Sequence, residues 1–275
     1  MAEIAEDAAV GASGSSFYAA MRILPRARRE AIFAIYAFCR AVDDVADARG
    51  PRDPRLAELA RWRADVNALY AGAPPAPLRG LAKPIRRYDL RREDFLEIIA
   101  GMEMDVAGDI RAPDSSTLDL YCDRVASAVG RLCVKVFGME AEPGTALAHH
   151  LGRALQLTNV LRDLDEDAER GRLYLPREAL ESAGIGIDDP ALVLMHPALG
   201  AACAPIVERA NKHFREADTV MDRGPRRSIR APRVMAEAYK RILARLVERG
   251  WSAPRDPVRL NKPLLLWILL RHALF

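Results

Sequence analysis

The sequence predicts an all-α protein, and three observations support this fold class. Nearly every long segment repeats its apolar residues at the helical period of about 3.6 residues. No segment between turn signals alternates β-branched with polar residues, which is the pattern of a half-buried strand. No repeat and no long low-complexity linker divides the 275 residues. We therefore expect a flexible segment at residues 1–14 and one helical domain over residues 15–275.

Turn and capping signals divide this domain into helices. A short helix is expected to begin at residues 15–18 and to end at Pro25, and a long one follows over residues 26–47. Later helices are predicted over residues 55–70, 78–88, 92–107, 117–137, 144–170, 191–221, 231–249 and 257–273, with a further short one opened by Pro176.

Composition limits the classes of function. The chain has 41 basic and 38 acidic residues, so its net charge of +3 does not indicate a nucleic-acid partner. Its four cysteines form no CxxC pair and lie in helical patterns, which predicts reduced core thiols in a cytoplasmic protein. The acidic N-terminal residues lack the basic and apolar regions of a signal peptide and do not predict secretion.

The most apolar run is LLLWILL, at residues 264–270. A bilayer span needs about 20 apolar residues, so this run is too short to cross a membrane. We expect it to pack on the core as the last helix. The alternative is contact with a membrane surface, which would place the protein at the periphery of the inner membrane.

Two polar stripes give the strongest indication of function. A helix turns about 100° per residue, so steps of 3, 4, 7 and 11 residues return to one side of it. The first stripe comprises Tyr36, Arg40, Asp43 and Asp47, and the second comprises Gln156, Asn159, Asp163 and Asp167. Each ends with two carboxylates one turn apart, while apolar residues cover the other faces. The stripes are therefore expected to line a partly buried cavity.

The paired carboxylates favour a divalent cation bound by oxygen. Aspartates at i and i+4 suit Mg²⁺, which keeps several waters and binds the phosphates of a substrate. Neither stripe contains histidine, which argues against zinc and against the di-iron sites of helical bundles. A single Asp-x3-Asp pattern is common by chance, but two copies with similar upstream spacing predict a magnesium site. His149 and His150 precede the second stripe and are interpreted as packing residues.

Arginines accompany both stripes, since Arg40 precedes Asp43 by three residues and Arg162 is next to Asp163. Each can neutralise a carboxylate or bind a diphosphate, because a guanidinium group matches two phosphate oxygens. The two roles are compatible. The basic residues 224–230 are predicted to form a solvated loop, with a flap over the diphosphate and a contact with anionic lipid as alternatives.

A family resemblance rests on five segments, which are, in chain order, SSFYAAMRILP, AIYAFCRAVDDVAD, YCDRVASAVG, LQLTNVLRDLDEDAERGRLYLP and AYKRIL. In their order and spacing, over residues 15–266, they resemble the squalene/phytoene synthase family. Within that family, the run GMEMDVAGDIRAPDSSTLDLYCDRVASAVGRL is most similar to bacterial enzymes that make presqualene diphosphate for hopanoid synthesis.

The resemblance implies an isoprenoid-synthase helical bundle around a central cavity, in which two prenyl diphosphates, here farnesyl diphosphate, condense head to head. It implies that Mg²⁺ is bound by Asp43, Asp47, Asp163 and Asp167. It implies further substrate contacts by Ser16, Phe17, Tyr36, Arg40, Gln156, Asn159, Arg162, Tyr239 and Arg259. Tyr121 is implied near the reacting carbons, where this tyrosine or the released diphosphate accepts a proton.

Three alternatives stay open within this resemblance. Phytoene synthases condense C20 substrates, and squalene synthases also use NADPH to reduce the cyclopropyl intermediate. Non-catalytic assembly factors of the same fold lack the aspartates, whereas this chain has all four. If the product is presqualene diphosphate, it is expected to pass to later enzymes of hopanoid synthesis.

Overall fold

A computed structural model describes residues 21, 23–107, 110–187 and 189–274 of the chain. They form α-helices, a short 3₁₀ turn, a π-helical segment and an isolated parallel bridge between Arg111 and Leu173, so the all-α prediction is confirmed. The predicted flexible segment 1–14, most of the helix expected before Pro25, and the predicted site residues Ser16 and Phe17 lie outside the described residues.

The helices follow one another as α1 (Arg26–Asp47), α2 (Arg52–Tyr70), α3 (Arg79–Tyr88), α4 (Arg92–Ala107), α5 (Ser115–Cys122), α6 (Ala128–Phe137), α7 (Ala141–Arg162), α8 (Leu164–Glu169), α9 (Arg177–Ser182), α10 (Pro190–Met195), α11 (Leu199–Arg223), α12 (Arg226–Arg249) and α13 (Lys262–Leu274). The 3₁₀ turn Ala76–Leu78 precedes α3, and the π-helical segment Asp123–Ser127 joins α5 to α6. Both α1 and α4 have the bounds that the sequence predicts.

Several predicted helices differ from the observed ones; the helix predicted over residues 117–137, for example, begins at Ser115 and contains the π-helical segment Asp123–Ser127. The helix predicted over residues 144–170 is interrupted at Asp163, whose backbone (φ −99°, ψ 17°) separates α7 from α8. The helix predicted over residues 191–221 is divided into α10 and α11, because Pro197 disfavours helical geometry at His196 (ψ 133°). The last helix begins at Lys262 instead of residue 257, and the Leu264 N–H donates to the Asn261 side chain (3.0 Å), which caps it.

The basic residues 224–230 are mostly helical, which corrects the predicted loop. α12 begins at Arg226, directly after Pro225. Proline is tolerated at a helix start because its missing N–H would have no intrahelical partner there. The first turn is also held from the side, since Ile229 and Ser228 are buried and the Ser228 hydroxyl donates to the Gly138 carbonyl (3.1 Å).

Two apolar cores hold the bundle together. One forms around α7 and α11, and the other around α1, α4 and α6. α7 packs against α6, α11 and α12, so it borders several layers of the bundle. The four cysteines are free thiols, and three of them are buried in these cores, as predicted.

The apolar C-terminal run packs on the protein, as predicted. α13 contacts α12, its Ile268 is buried, and Leu264 and Leu269 pack against the core around α1. Across residues 21, 23–107, 110–187 and 189–274, no helix combines the length and the apolar character that crossing a bilayer requires.

Glycines let α7 approach its neighbours closely. A Cβ atom at Gly152 of α7 would lie 2.8 Å from the backbone nitrogen of Ser127, in the π-helical segment. A Cβ atom at Gly130 of α6 would lie 3.1 Å from the Cα atom of Ala148, on α7. Side chains at these positions would push the helices apart, so the glycines set the spacing on this side of the bundle.

We expect Gly152→Ala to lower the free energy of unfolding by about 1–3 kcal/mol, because the added methyl group overlaps backbone atoms. Urea unfolding followed by circular dichroism measures this loss. Gly200→Ala is a matched control, since its Cβ would meet only the Trp251 ring at 3.3 Å, and its effect should stay within about 0.5 kcal/mol. Equal stabilities for the two variants would contradict the prediction.

Candidate active site

A cavity of about 580 Å³ lies among α1, α4, the π-helical segment, α6, α7 and α12. The predicted site residues that line it are Tyr36, Arg40, Asp43, Asp47, Tyr121, Gln156, Asn159, Arg162, Asp163, Asp167 and Tyr239. Arg259 is not brought to this lining. It is exposed, and its backbone carbonyl accepts a hydrogen bond from Arg245 (2.8 Å).

The cavity has an apolar end and an acidic end. In chain order, its lining includes Ile35, Cys39, Asp43 and Asp47 on α1, then Leu147, Leu151, Leu155 and Asn159 on α7 and Asp163 directly after it. The acidic end therefore coincides with the C-terminal ends of both helices, and the apolar end lies further back along them.

This position of the carboxylates favours cations. The C-terminal end of a helix carries partial negative charge, because its last carbonyl groups have no intrahelical partners. Asp43 and Asp47 lie one turn apart at the end of α1, and Asp163 directly follows α7. Carboxylates at such ends add to the negative potential, so the acidic end of the cavity attracts positive charge.

The pKa values of two aspartates are consistent with this crowding. Burial raises the pKa of Asp43 to about 6, and repulsion by Asp47 adds to the effect, against the opposing charge of Arg40. Burial likewise raises the pKa of Asp167 to about 7, with repulsion by Asp163. A divalent cation bound among these carboxylates would stabilise their charged forms.

The second stripe also supplies a neutral oxygen. The Asn159 side chain donates to Gln156 Oε1 (3.3 Å), while its own Oδ1 is buried and has no hydrogen-bond partner among the described residues. An unpaired buried oxygen is costly unless a ligand or ion contacts it. Carboxylate and amide oxygens can bind Mg²⁺ directly or accept hydrogen bonds from its bound waters, so this set of oxygens fits the predicted metal.

Both predicted arginines pair with the carboxylates. Arg40 donates hydrogen bonds to Asp43 (2.7 Å) and to Asp44 (2.6 Å). Arg162 donates two hydrogen bonds to Asp163, of 2.7 and 2.6 Å. Tyr239 lies close enough to Arg162 to add to the rise that Asp163 causes in the pKa of this arginine. The arginines thus neutralise part of the acidic end, and both of them line the cavity.

Sequence reasoning missed two further arginines, Arg170 and Arg172, on the connector after α8. Arg172 donates to Asp47 Oδ1 (2.8 Å) and to the Ala46 carbonyl (3.0 Å), and Arg170 lies 3.7 Å from Asp47. Gly171 between them has a positive φ of 73°, which turns the chain back towards α1. The available signal was the Arg-Gly-Arg sequence directly after the second stripe. These arginines connect the two acidic segments.

A buried network that the sequence did not predict lies between the stripes. Asp105 of α4 is 8% exposed and accepts hydrogen bonds from the hydroxyl groups of Tyr121 (3.0 Å) and Tyr174 (2.5 Å). The two tyrosine rings stack with their centroids 5.0 Å apart. Burial raises the pKa of Asp105, although Arg172 and the two hydroxyl groups oppose that effect. An acidic residue on the apolar face of α4 was the available signal.

The comparison with known proteins decides the family. The squalene/phytoene synthase family model matches residues 10–263. The chain belongs to the squalene/phytoene synthase family. It is 59% identical to the presqualene diphosphate synthase of Rhodopseudomonas palustris over 263 residues, which are 96% of this chain and 94% of that enzyme. It is 35% identical to the phytoene synthase of Mycobacterium tuberculosis, over 83% of this chain and 76% of that enzyme.

A solved member of the squalene/phytoene synthase family has the same fold. The squalene synthase HpnC of Alicyclobacillus acidocaldarius has a TM-score of 0.80 and 28% identity, covering 91% of this chain and 94% of that one. The predicted family and the predicted isoprenoid-synthase helical bundle are therefore confirmed. The roles of the individual site residues stay predictions.

Proposed function

We propose that this chain is a presqualene diphosphate synthase, which condenses two molecules of farnesyl diphosphate and releases one diphosphate. The observation that carries the proposal is a cavity with two acidic segments at one end and apolar walls at the other. Two diphosphates and two hydrocarbon tails need such a division. The greater similarity to a presqualene diphosphate synthase than to a phytoene synthase supports C15 over C20 substrates.

The residues proposed to hold Mg²⁺ are Asp43, Asp47, Asp163 and Asp167, with Asn159, whose side-chain oxygen is buried and unpaired, lining the same cavity. When bound, Mg²⁺ supplies Lewis-acid chemistry that stabilises the charge of a departing diphosphate. Metal dependence is typical of enzymes that use prenyl diphosphates, and the choice of Mg²⁺ is our proposal from the all-oxygen donor set.

Ionisation of the first substrate relies on the arginines. As its C1–O bond breaks, the electron pair stays with the diphosphate and an allylic cation remains on the prenyl chain. Arg40, Arg162 and Arg172 present guanidinium N–H groups to the acidic end, where they stabilise the leaving oxygens as charge develops. Fixed donors are effective here because they need little reorganisation during the reaction.

Bond formation occurs among apolar side chains. Apolar residues such as Val129, Leu155 and Met235 line the cavity and exclude water, which would otherwise capture the cation. The C2–C3 double bond of the second substrate supplies the electron pair for the new carbon–carbon bond. Loss of a proton then leaves the electron pair that closes the cyclopropane ring.

Tyr121 is the residue on this chain best arranged to accept that proton. Tyr121 lines the cavity, and its hydroxyl group donates its proton to Asp105 (3.0 Å). A proton taken up at the Tyr121 oxygen can be balanced by transfer of the tyrosine proton to the buried carboxylate. The released diphosphate is the competing acceptor in the same space.

We expect Tyr121→Phe to lower kcat by about 10²-fold or more, as loss of an acid–base group does, with little change in the Mg²⁺ concentration for half-maximal rate. Steady-state kinetics at several Mg²⁺ concentrations measure both quantities. Tyr70→Phe is the matched control, because the Tyr70 hydroxyl donates to the Leu90 carbonyl (2.7 Å), away from the cavity lining. An unchanged kcat for Tyr121→Phe would remove this tyrosine from the mechanism.

The whole proposal is tested by incubating the enzyme with C15 or C20 diphosphates, with Mg²⁺ or with a chelator, and with or without NADPH. We expect Mg²⁺-dependent diphosphate release from farnesyl diphosphate and presqualene diphosphate as the product by mass. Squalene formed only with NADPH would indicate a squalene synthase, and a C40 product would indicate a phytoene synthase. Release from neither substrate would favour a non-catalytic protein.

We also propose that the enzyme is cytoplasmic and contacts a membrane surface. Its product would then pass to later enzymes of hopanoid synthesis. Trp267 of α13 supports the membrane contact, since it is 47% exposed and the guanidinium groups of Arg241 and Arg271 lie 5.3 Å from its ring centre. An exposed tryptophan beside cations suits a lipid interface. Sedimentation with anionic vesicles, compared between the wild type and Trp267→Ala, tests this contact.

A further inference from the structure

Three histidines come together outside the cavity. His149 and His150 lie on α7, and His213 reaches them from α11. The ligand nitrogens of the three rings lie within 4.8 Å of one another, and the Nδ1 atoms of His150 and His213 are 3.0 Å apart. None of the three lines the cavity, which α7 meets through residues such as Ala148 and Leu151. The sequence interpretation of His149 and His150 as packing residues could not include this third partner.

We propose that His149, His150 and His213 form a second metal site, which binds Zn²⁺ or a similar borderline transition-metal ion. Imidazole nitrogens are ligands that zinc, nickel and copper prefer, whereas Mg²⁺ prefers oxygen. Three protein ligands and a water complete the usual coordination of an open zinc site. The site goes beyond the proposed synthase activity and uses none of its residues.

The distances suit such an ion. Zinc binds imidazole at about 2.0–2.1 Å, so ligand nitrogens in a tetrahedral site are separated by about 3.4 Å. The Nδ1 atoms of His150 and His213, at 3.0 Å, are slightly closer than this separation. The limit within which all three ligand nitrogens lie, 4.8 Å, is wider than this separation. Small rotations of the partly exposed rings bring the nitrogens to ligation distance without movement of either helix.

Protonation and charge also suit a metal ion. Burial lowers the pKa of His213, with repulsion from the two other imidazoles, which favours the neutral ring. A neutral imidazole has one ring nitrogen free to coordinate a metal ion. The pKa values of His149 and His150 are lowered as well, first by burial. Two nearby arginines are already paired, since Arg153 contacts Asp119 (2.9 Å) and Asp123 (3.0 Å), and Arg209 contacts Asp119. The charge of Glu216 opposes that of Lys212 at His150.

The site would tie α7 to α11. These helices build one of the two cores, and α7 also carries Gln156 and Asn159 at the active cavity. A metal bound by both helices stabilises the folded chain because it binds no comparable site in the unfolded chain. The role is therefore structural, and the proton and diphosphate chemistry of the cavity does not depend on it.

The test uses tag-free, metal-stripped protein in excess Mg²⁺, which occupies the aspartates, and titrates it with Zn²⁺ by calorimetry and with Co²⁺ by absorption. We expect one ion per chain, cobalt d–d bands of a low-coordinate nitrogen site, and a Zn²⁺-induced rise in melting temperature of about 5 °C at saturation. His213→Asn should weaken binding by about tenfold or more and abolish that rise.

His196→Asn is the matched control, because asparagine can still accept the Ala198 N–H hydrogen bond that His196 Nδ1 accepts (3.2 Å). The His196→Asn variant should bind Zn²⁺ with the same affinity and stoichiometry as the wild type. His150→Asn repeats the test if His213→Asn fails to fold, as judged by circular dichroism. The absence of saturable Zn²⁺ binding in the wild type, or equal affinity in the wild type and His213→Asn, would overturn the proposal. Zinc binding is measured without a prenyl substrate, so its outcome is independent of the proposed synthase activity.

Discussion

Asp43→Asn and Asp163→Asn should each lower Mg²⁺-dependent diphosphate release from farnesyl diphosphate by about 10³-fold or more, with the fold retained. Asparagine keeps the shape of the side chain but removes the charge that holds the cation. Loss of a metal contribution of several kcal/mol corresponds to a rate loss of this size. A coupled diphosphate assay measures the rate, and circular dichroism with thermal unfolding establishes that the variants fold.

A neighbouring aspartate provides the control for these two variants. Asp165 lies two residues after Asp163, is absent from the cavity lining and pairs with Arg255 (2.9 Å). Asp165→Asn should therefore keep rates within about threefold of the wild type, as surface changes of about 0.5 kcal/mol do. Activity retained by Asp43→Asn or Asp163→Asn at ordinary Mg²⁺ concentrations would refute the model of two acidic segments.

Arg172→Gln should lower kcat/KM by about 10²–10³-fold, the size expected when one fixed donor to a developing anion is removed. It also leaves Asp47 without its closest cation, so the two acidic segments repel each other more strongly. Arg172→Lys should be intermediate, because one ammonium group cannot contact both Asp47 and the Ala46 carbonyl as the guanidinium group does. Steady-state kinetics with farnesyl diphosphate at saturating Mg²⁺ measure the series.

Arg177→Gln removes the same charge five residues later and is the control for Arg172. Arg177 is exposed and does not line the cavity, so its variant should behave like the wild type. If Arg172→Gln and Arg177→Gln had the same kcat/KM, the structural link between the connector and α1 would have no part in catalysis.

The helices with clear borders were predictable from local sequence. α1 follows Pro25 and precedes Gly50 and Pro51, and its observed bounds match the prediction. The errors arose where local signals were weak or ambiguous. Asp163 carries no breaking signal, yet the chain turns there, and the basic residues after Pro225 resemble a loop until the burial of Ile229 is known.

The residues of the candidate site also divide into those that local sequence predicts and those that it does not. Residues within one helix, such as Asp43 and Asp47, share a face because helical geometry alone requires it. Asp105 lies on α4, whereas Arg172 and Tyr174 lie on the connector after α8, and no spacing in the sequence relates these two elements to each other or to α1. Histidines 149 and 150 gained a third partner, His213, from 63 residues away for the same reason.

The sequence by itself therefore determined an all-α chain, its family and the two acidic segments, because periodicity and motif spacing are properties of neighbouring residues. Only the tertiary structure decided that both segments meet at helix C-terminal ends, that Arg172 joins them, and that Asp105 lies buried under two tyrosines. These features depend on which helices pack together. That packing is set by the burial of apolar surface over the whole chain, which no single segment encodes.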